Sequence, residues 1–263
     1  SYDGKREILK DISFSVKQGE TIAFVGATGS GKSSIINLFL RFYEFEKGKI
    51  LIDGRDIRDY SQAELRRNIG LVLQDPFLYH GTIASNIRMY QENLSQAEVE
   101  EAARFVDAHD FISQLPLGYD NPVTERGSTF SSGQRQLLAF ARTIATKPKI
   151  LILDEATANI DSETEELIQH SLRKMRQGRT TIAIAHRLST IQDANCIYVL
   201  DKGRIIESGS HEELLAQNGT YKKMYQLQAG MLDAWKTRKN SKKRGWDKSS
   251  SLSIVFGLSS KTQ

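Results

Sequence analysis

A chain of 263 residues with 39% hydrophobic and 26% charged residues and a mean hydropathy of −0.42 has a globular composition, which excludes a disordered protein. No apolar run reaches 18 residues and Ser1–Arg6 lacks an apolar segment, so neither a transmembrane helix within the chain nor a signal peptide is expected. The net charge of +4 raises nucleic acid or an anionic membrane surface as partners, while the single cysteine, Cys196, excludes an internal disulfide and suits a reducing compartment.

Residues 8–17 alternate apolar and polar from Ile12 to Lys17. With the glycine-bounded run Gly48–Gly54, they predict an antiparallel flank. Glu20–Val25 reads as a buried strand that runs into Gly26-Ala27-Thr28-Gly29-Ser30-Gly31-Lys32-Ser33 and then a helix from Ser34 to Phe42. Strand, glycine-rich loop and helix in that order are the context a phosphate-binding loop requires. Glycine lets backbone N–H groups point at phosphate oxygens, and the helix start favours the anion. In this pattern Lys32 reaches the β- and γ-phosphates and Ser33 holds Mg²⁺. Ile69–Leu73 is a further apolar strand and ends in Gln74. Residues 82–145 predict a helical subdomain, closed by a helix that opens at Phe130-Ser131-Ser132-Gly133-Gln134 with Ser131 as its cap.

Lys149–Leu153 is another buried strand and ends in Asp154-Glu155. A parallel sheet presents such carboxylates beside the phosphate loop, so Asp154 would orient Mg²⁺ through its water shell and Glu155 would take a proton from an attacking water. The helix after Asp161 is acidic first (Glu163, Glu165, Glu166) and basic last (Arg173, Lys174, Arg176), in the sense that suits its dipole. Thr181–Ala185 is a fourth apolar strand and ends in His186. Gln74 and His186 either aim hydrogen-bonding side chains at the same crevice or serve as solvated strand caps. His80, His109, His170 and His211 have no such placement, and no His or Cys spacing indicates zinc. Four strands leading to ligand residues, with helices between them, predict an α/β fold: a P-loop NTPase core with a mostly parallel sheet, an antiparallel β flank and the inserted helical subdomain.

Residues 231–263 carry both tryptophans and a net charge of +6, so the other 230 residues carry −2. With no sustained period, this segment reads as a basic, Ser-rich flexible tail. A solvated extension or a non-native terminal fusion is preferred to a nucleic-acid- or lipid-binding arm. The basic charge therefore describes the tail.

Over residues 1–230 the chain resembles the ATP-binding cassette family. The pieces stand in family order: the phosphate loop Gly26–Ser33, the Q-loop at Gln74, the signature Phe130–Gln134, the Walker B strand with Asp154-Glu155, the D-loop Ala158–Asp161 and the switch His186. The resemblance implies ATP and Mg²⁺ as ligands. Nucleotide would lie on Gly26–Ser34 with Tyr2 stacked on adenine, the metal on Ser33, Gln74 and Asp154, Glu155 as general base, and His186 at the γ-phosphate beside Lys32. It also implies a second cassette, in a head-to-tail homo- or heterodimer in which Ser131, Ser132, Gly133 and Gln134 serve the partner's ATP. The signature departs from the family's Leu-Ser-Gly-Gly-Gln at Phe130, a packing change, and at Ser132, which either crowds the partner's phosphate or lends it a hydroxyl.

Thr124-Glu125-Arg126-Gly127 resembles the X-loop of exporter cassettes, and Leu115–Asp120, Gln74–Leu78 and Gly81–Ile83 also read as exporter-type. The expected function is the ATP-hydrolysing motor of an exporter of drugs or lipids, on the cytoplasmic side of the cell membrane, with contacts to transmembrane domains through Gln74 and Thr124–Gly127. The odd signature beside an intact Glu155 resembles the hydrolysis-competent half of bacterial heterodimeric multidrug exporters. The start at Ser1, without an initiator methionine, is expected to mark a fragment of a longer polypeptide, soluble by itself. The alternative is a non-transport cassette ATPase acting on nucleic acid in repair or on the ribosome. Such a protein calls for coiled-coil insertions or tandem cassettes, and only the tail favours it, so no nucleic-acid partner is expected.

Overall fold

The central strand, β1 (Thr21–Gly26), is buried from Thr21 to Val25, as expected of a β-rich apolar run covered on both faces. The structure, a computed structural model, describes residues 7–89, 91, 93–124, 127–154, 164–185 and 187–230. They fall in two compact units, one up to Lys223 and one from Met224.

In the first unit β1 lies between β8 (Thr180–Ile184) and β9 (Cys196–Asp201). β7 (Ile150–Asp154) and β4 (Ile69–Val72) continue the sheet beyond β8, and β10 (Arg204–Gly209) closes the other side. The order is β10-β9-β1-β8-β7-β4, all parallel except β10. The mostly parallel core with antiparallel additions is therefore as the sequence predicts, but one of the two segments expected to supply them does not. Residues 12–17 form no strand, although their side chains alternate between half-buried and exposed. Phe14 plugs into the core instead, edge-on to Phe24 at 5.0 Å and 5.7 Å from Tyr198. The segment keeps the burial period of a strand without the hydrogen-bond ladder. Antiparallel pairing is found instead between β9 and β10, and in the hairpin of β2 (Leu51–Ile52) with β3 (Arg55–Asp56), inside the predicted 48–54 region and just beyond it.

Helix α1 (Lys32–Phe39) follows β1 and buries Ile35, Ile36 and Phe39 in the core that holds Ile22 and Phe24. It ends three residues before the predicted Phe42, and the next residue but one, Arg41, has a φ of 50°. After α2 (Gln62–Arg67) and β4, a short antiparallel pair joins β5 (Gly81–Thr82) to β6 (Pro122–Val123). Helices α3 (Ile83–Arg88), α4 (Gln96–Phe105) and α5 (His109–Ser113) lie between those strands in the chain. α6 (Ser132–Ala145) packs against α3 and α4 and also against β4. α7 (Glu165–Arg176) buries Ile168, Leu172 and Met175 at helical spacing, with its acids first and bases last. α8 (His211–Ala216) begins with a capping box from Ser210 and Glu213. In the second unit, residues 224–230 are helical.

One polar cluster ties α7 to the turn after α4. Asp107 accepts from His170 Nδ1 at 3.0 Å and from Lys174 Nζ at 3.1 Å, and Ser171 Oγ lies 3.0 Å from its Oδ2. Burial pushes the Asp107 pKa up, but the hydrogen bonds from Lys174, His170 and Ser171 outweigh it, so the net direction is down. A depressed carboxylate stabilises the fold above its unfolded pKa of about 3.9, and that contribution is lost as pH falls through the lower folded value. Asp107→Asn is expected to cost about 1–2 kcal/mol in urea unfolding at pH 7. The difference from wild type should shrink at pH 3. A constant difference at both pH values would show that the carboxylate charge contributes nothing.

Candidate functional site

The carboxyl ends of the parallel strands place Gly26 and Asp154 on one edge of the sheet. β1 delivers Gly26 and the loop to α1, and β7 delivers Asp154. β8 lies between them, with Phe24 and Asp154 both in register with Ile184. Two strand spacings put β1 and β7 roughly 10 Å apart, a span on the scale of a triphosphate and its metal.

The loop has the construction its sequence implies. Gly26, at φ 151°, is pressed against the neighbouring strand: a Cβ there would lie 2.2 Å from Leu200 O and 2.9 Å from Ser30 Oγ. Only glycine fits. Ala27, Thr28 and Gly29 are exposed, whereas Ser30, Gly31 and Lys32 are buried. Gly31 caps α1 in a left-handed conformation, and its carbonyl accepts from Ser34 N and Ile35 N. Lys32 folds its ammonium back onto the loop and donates to Gly26 O at 2.8 Å and Ala27 O at 3.0 Å. A buried cation thus lies within the loop, next to a helix start that favours anions. Ser30 Oγ is buried without a hydrogen-bond partner. A buried cation and an orphaned hydroxyl beside exposed backbone fit a bound polyphosphate.

Ser33 and Ser34 open α1, Ser33 exposed and Ser34 half-buried. Gln74 is exposed two residues beyond the end of β4 at Val72, so the strand stops short of the predicted Leu73. Asp154 closes β7 and is half-buried. Ala185, the residue before His186, donates to Phe24 O at 3.1 Å. Tyr2, Glu125, Arg126, Glu155, the D-loop 158–161, His186 and the tail 231–263 lie outside the described residues.

The signature opens α6 as predicted. Ser131 Oγ accepts from Gln134 N at 3.1 Å, and Gln134 Oε1 accepts from Ser131 N at 3.0 Å, a reciprocal cap. Phe130 is 6% exposed, so the substitution at this position is a core contact. Ser132 is half-buried. Gly133 meets a packing demand that the motif does not disclose. A Cβ there would lie 2.4 Å from Thr164 Oγ1 and 2.8 Å from Thr164 Cβ, so glycine admits the residue that precedes α7.

The four histidines without an assigned role are structural in three cases. His109 Nδ1 is 2.8 Å from the Tyr119 hydroxyl, His211 Nδ1 is 2.7 Å from the Tyr221 hydroxyl, and His170 contacts Asp107. Among the described residues no group of three or more His, Cys, Asp and Glu could hold a metal ion. No described helix is long and apolar enough to cross a membrane. Sequence reasoning missed β9, although Cys196–Leu200 is itself a short, mostly apolar run that the strand criterion would catch.

A mostly parallel sheet whose central strand feeds a phosphate loop and helix defines a P-loop NTPase domain. Residues 9–158 match the model of a family described as ABC transporter. The chain is 77% identical over 232 residues to the putative ABC transporter ATP-binding protein exp8 of Streptococcus pneumoniae, covering 88% of this chain and 40% of that protein. It is 55% identical over 230 residues to the probable multidrug resistance ABC transporter ATP-binding/permease protein YheH of Bacillus subtilis, covering 88% and 34%. It also superposes on a solved bacterial Atm1-family ABC exporter with ATP bound, at a TM-score of 0.81 and 48% identity over 87% of this chain and 40% of that one. The chain belongs to the ABC transporter family. It spans 34–40% of the length of these three proteins.

Proposed function

We propose that this chain is the ATP-binding and ATP-hydrolysing motor domain of an exporter, with its cassette in residues 1–230, a helical subdomain at about 82–145 and an appended tail at 231–263. The observation that carries the proposal is the buried Lys32 ammonium inside the Gly26–Ser33 loop, on the same sheet edge as Asp154. Gly26–Ser34 hold the phosphates, Lys32 neutralises them, and Tyr2 stacks on adenine. Glu155 accepts a proton from the attacking water, and His186 contacts the γ-phosphate. Ser33, Gln74 and Asp154 would hold Mg²⁺, which supplies charge neutralisation at the β- and γ-phosphates when bound.

Ser131, Ser132, Gly133 and Gln134 serve the nucleotide of a second cassette in a head-to-tail dimer. The capping box holds Ser131 and Gln134 at the start of α6, with the N–H groups of the first turn behind them. Leu73, Phe77 and Tyr79 form an exposed apolar stretch around Gln74. That stretch and Thr124–Gly127 are the surfaces for transmembrane domains, which place the cassette on the cytoplasmic side of a membrane. The two relatives and the exporter structure give the nucleic-acid alternative no support. The intact Asp154-Glu155 pair makes this chain the hydrolysing member of its dimer, and drugs or lipids are the proposed cargo class.

A two-chain site makes turnover depend on protein concentration. Phosphate release from ATP, measured with Mg²⁺ across increasing chain concentration, is expected to rise faster than linearly. Strict proportionality to concentration would remove the shared site, and no release at any concentration would remove the motor assignment.

A further inference from the structure

α6 does more than present the signature. At its far end Arg142 reaches out of the helix to a distant stretch of chain. Its Nη1 donates to Phe77 O at 2.8 Å, its Nε to Asn86 O at 2.8 Å, and its Nη2 to Asn86 Oδ1 at 2.8 Å. The guanidinium also lies 5.4 Å from the centroid of the Tyr79 ring. Asn86, 2% exposed on α3, completes the network. Its Nδ2 donates to Tyr79 O at 2.8 Å and Thr82 O at 3.0 Å, and its Oδ1 accepts from Tyr79 N at 2.8 Å. One arginine and one asparagine thus hold the backbone of the segment between Gln74 and α3. The segment has only the two-residue strand β5 of its own, while Phe77 and Tyr79 stay 44% and 42% exposed.

We propose that Arg142 is a positioning residue that fastens residues 77–82 to the signature helix, so that the exposed Phe77–Tyr79 surface and the signature move together. This rests on the reading of that surface as the transmembrane-domain contact and of Ser131–Gln134 as the contact to the partner's ATP. The 14-residue α6 is about 21 Å long and joins the two ends as a single rigid element. The fastening depends on the fork of the guanidinium, which bridges acceptors on two segments at once. A lysine ammonium has the charge without the fork. The rings of Phe77 and Tyr79, edge-on at 4.9 Å, are then carried on a braced backbone.

The test compares the wild-type chain with Arg142→Lys and Arg142→Gln by nucleotide binding, ATP turnover and amide hydrogen exchange. Arg142→Gln is expected to bind ATP within about twofold of wild type while kcat falls about tenfold, because the phosphate loop is untouched and only the signature's placement changes. Exchange at residues 77–82 should rise at least about tenfold, with the first turn of α6 still protected. Arg142→Lys should lie between the two and decides the matter if the glutamine variant does not fold. A merely structural role predicts instead a general rise in exchange across residues 83–145, with activity falling only as the folded fraction does. That pattern, or wild-type exchange at 77–82 in both variants, overturns the proposal. If the wild-type chain proves to have no ATP turnover, the motor assignment fails, and the exchange measurement still decides whether Arg142 fastens the loop.

Discussion

Replacing Glu155 by glutamine is expected to leave ATP binding intact and to lower turnover by about 10²–10⁴-fold, the range for loss of a general base. Glutamine keeps the size and hydrogen-bonding capacity of the side chain but cannot accept the proton that water must lose on attacking phosphorus. The phosphate loop, which carries the binding energy, is contributed by β1 and α1 and not by the strand that precedes Glu155. Binding and chemistry should therefore separate, with KM for ATP nearly unchanged and kcat collapsed. Single-turnover phosphate release, alongside equilibrium binding of ATP, makes the distinction. Wild-type turnover in the variant would take Glu155 out of the mechanism.

Lys32→Ala should show the opposite division. A charge-assisted hydrogen bond contributes about 1.5–3 kcal/mol, so its loss is expected to weaken ATP binding by about 10- to 100-fold. The folded chain should tolerate the change, because one of the lysine's carbonyl acceptors, on Ala27, lies in the exposed part of the loop. Gly26 O and Ala27 O lose a donor, but Ala27 can turn to water. Calorimetric titration with ATP gives the affinity and a thermal melt gives the fold. An unchanged affinity would refute the assignment of the loop.

How legible the molecule is from its sequence differs between its parts for physical reasons. The phosphate loop is legible because gripping a phosphate takes consecutive N–H groups, and consecutive groups leave a contiguous motif. Ser131 is legible as a cap because capping is also local. The parallel core was expected because β1, β4, β7 and β8 are buried on both faces and so read as apolar runs. Residues 12–17 show the limit of periodicity. Alternation reports which side chains face inward, and an extended segment laid on the core satisfies it without a partner strand. The brace at Arg142 left no local trace, since its acceptors Phe77 and Asn86 are brought to α6 only by the fold. The proximity of Gly133 to Thr164 is likewise a product of the fold and leaves no local trace.

The strand order has a consequence for how the chain is made. β1 is made well before its two neighbours in the sheet, β8 and β9, and Ile22 pairs with Cys196. The phosphate loop rests on the same late strand, with Gly26 against Leu200 O. A nascent chain that stops short of residue 196 therefore holds the whole motif as sequence but lacks the wall that shapes it. Pairings between such distant segments are slow to form, and the apolar β1 must wait exposed until they do. Competence to bind nucleotide thus waits until β9 has been made, and the interval before it is when this domain most needs protection from aggregation.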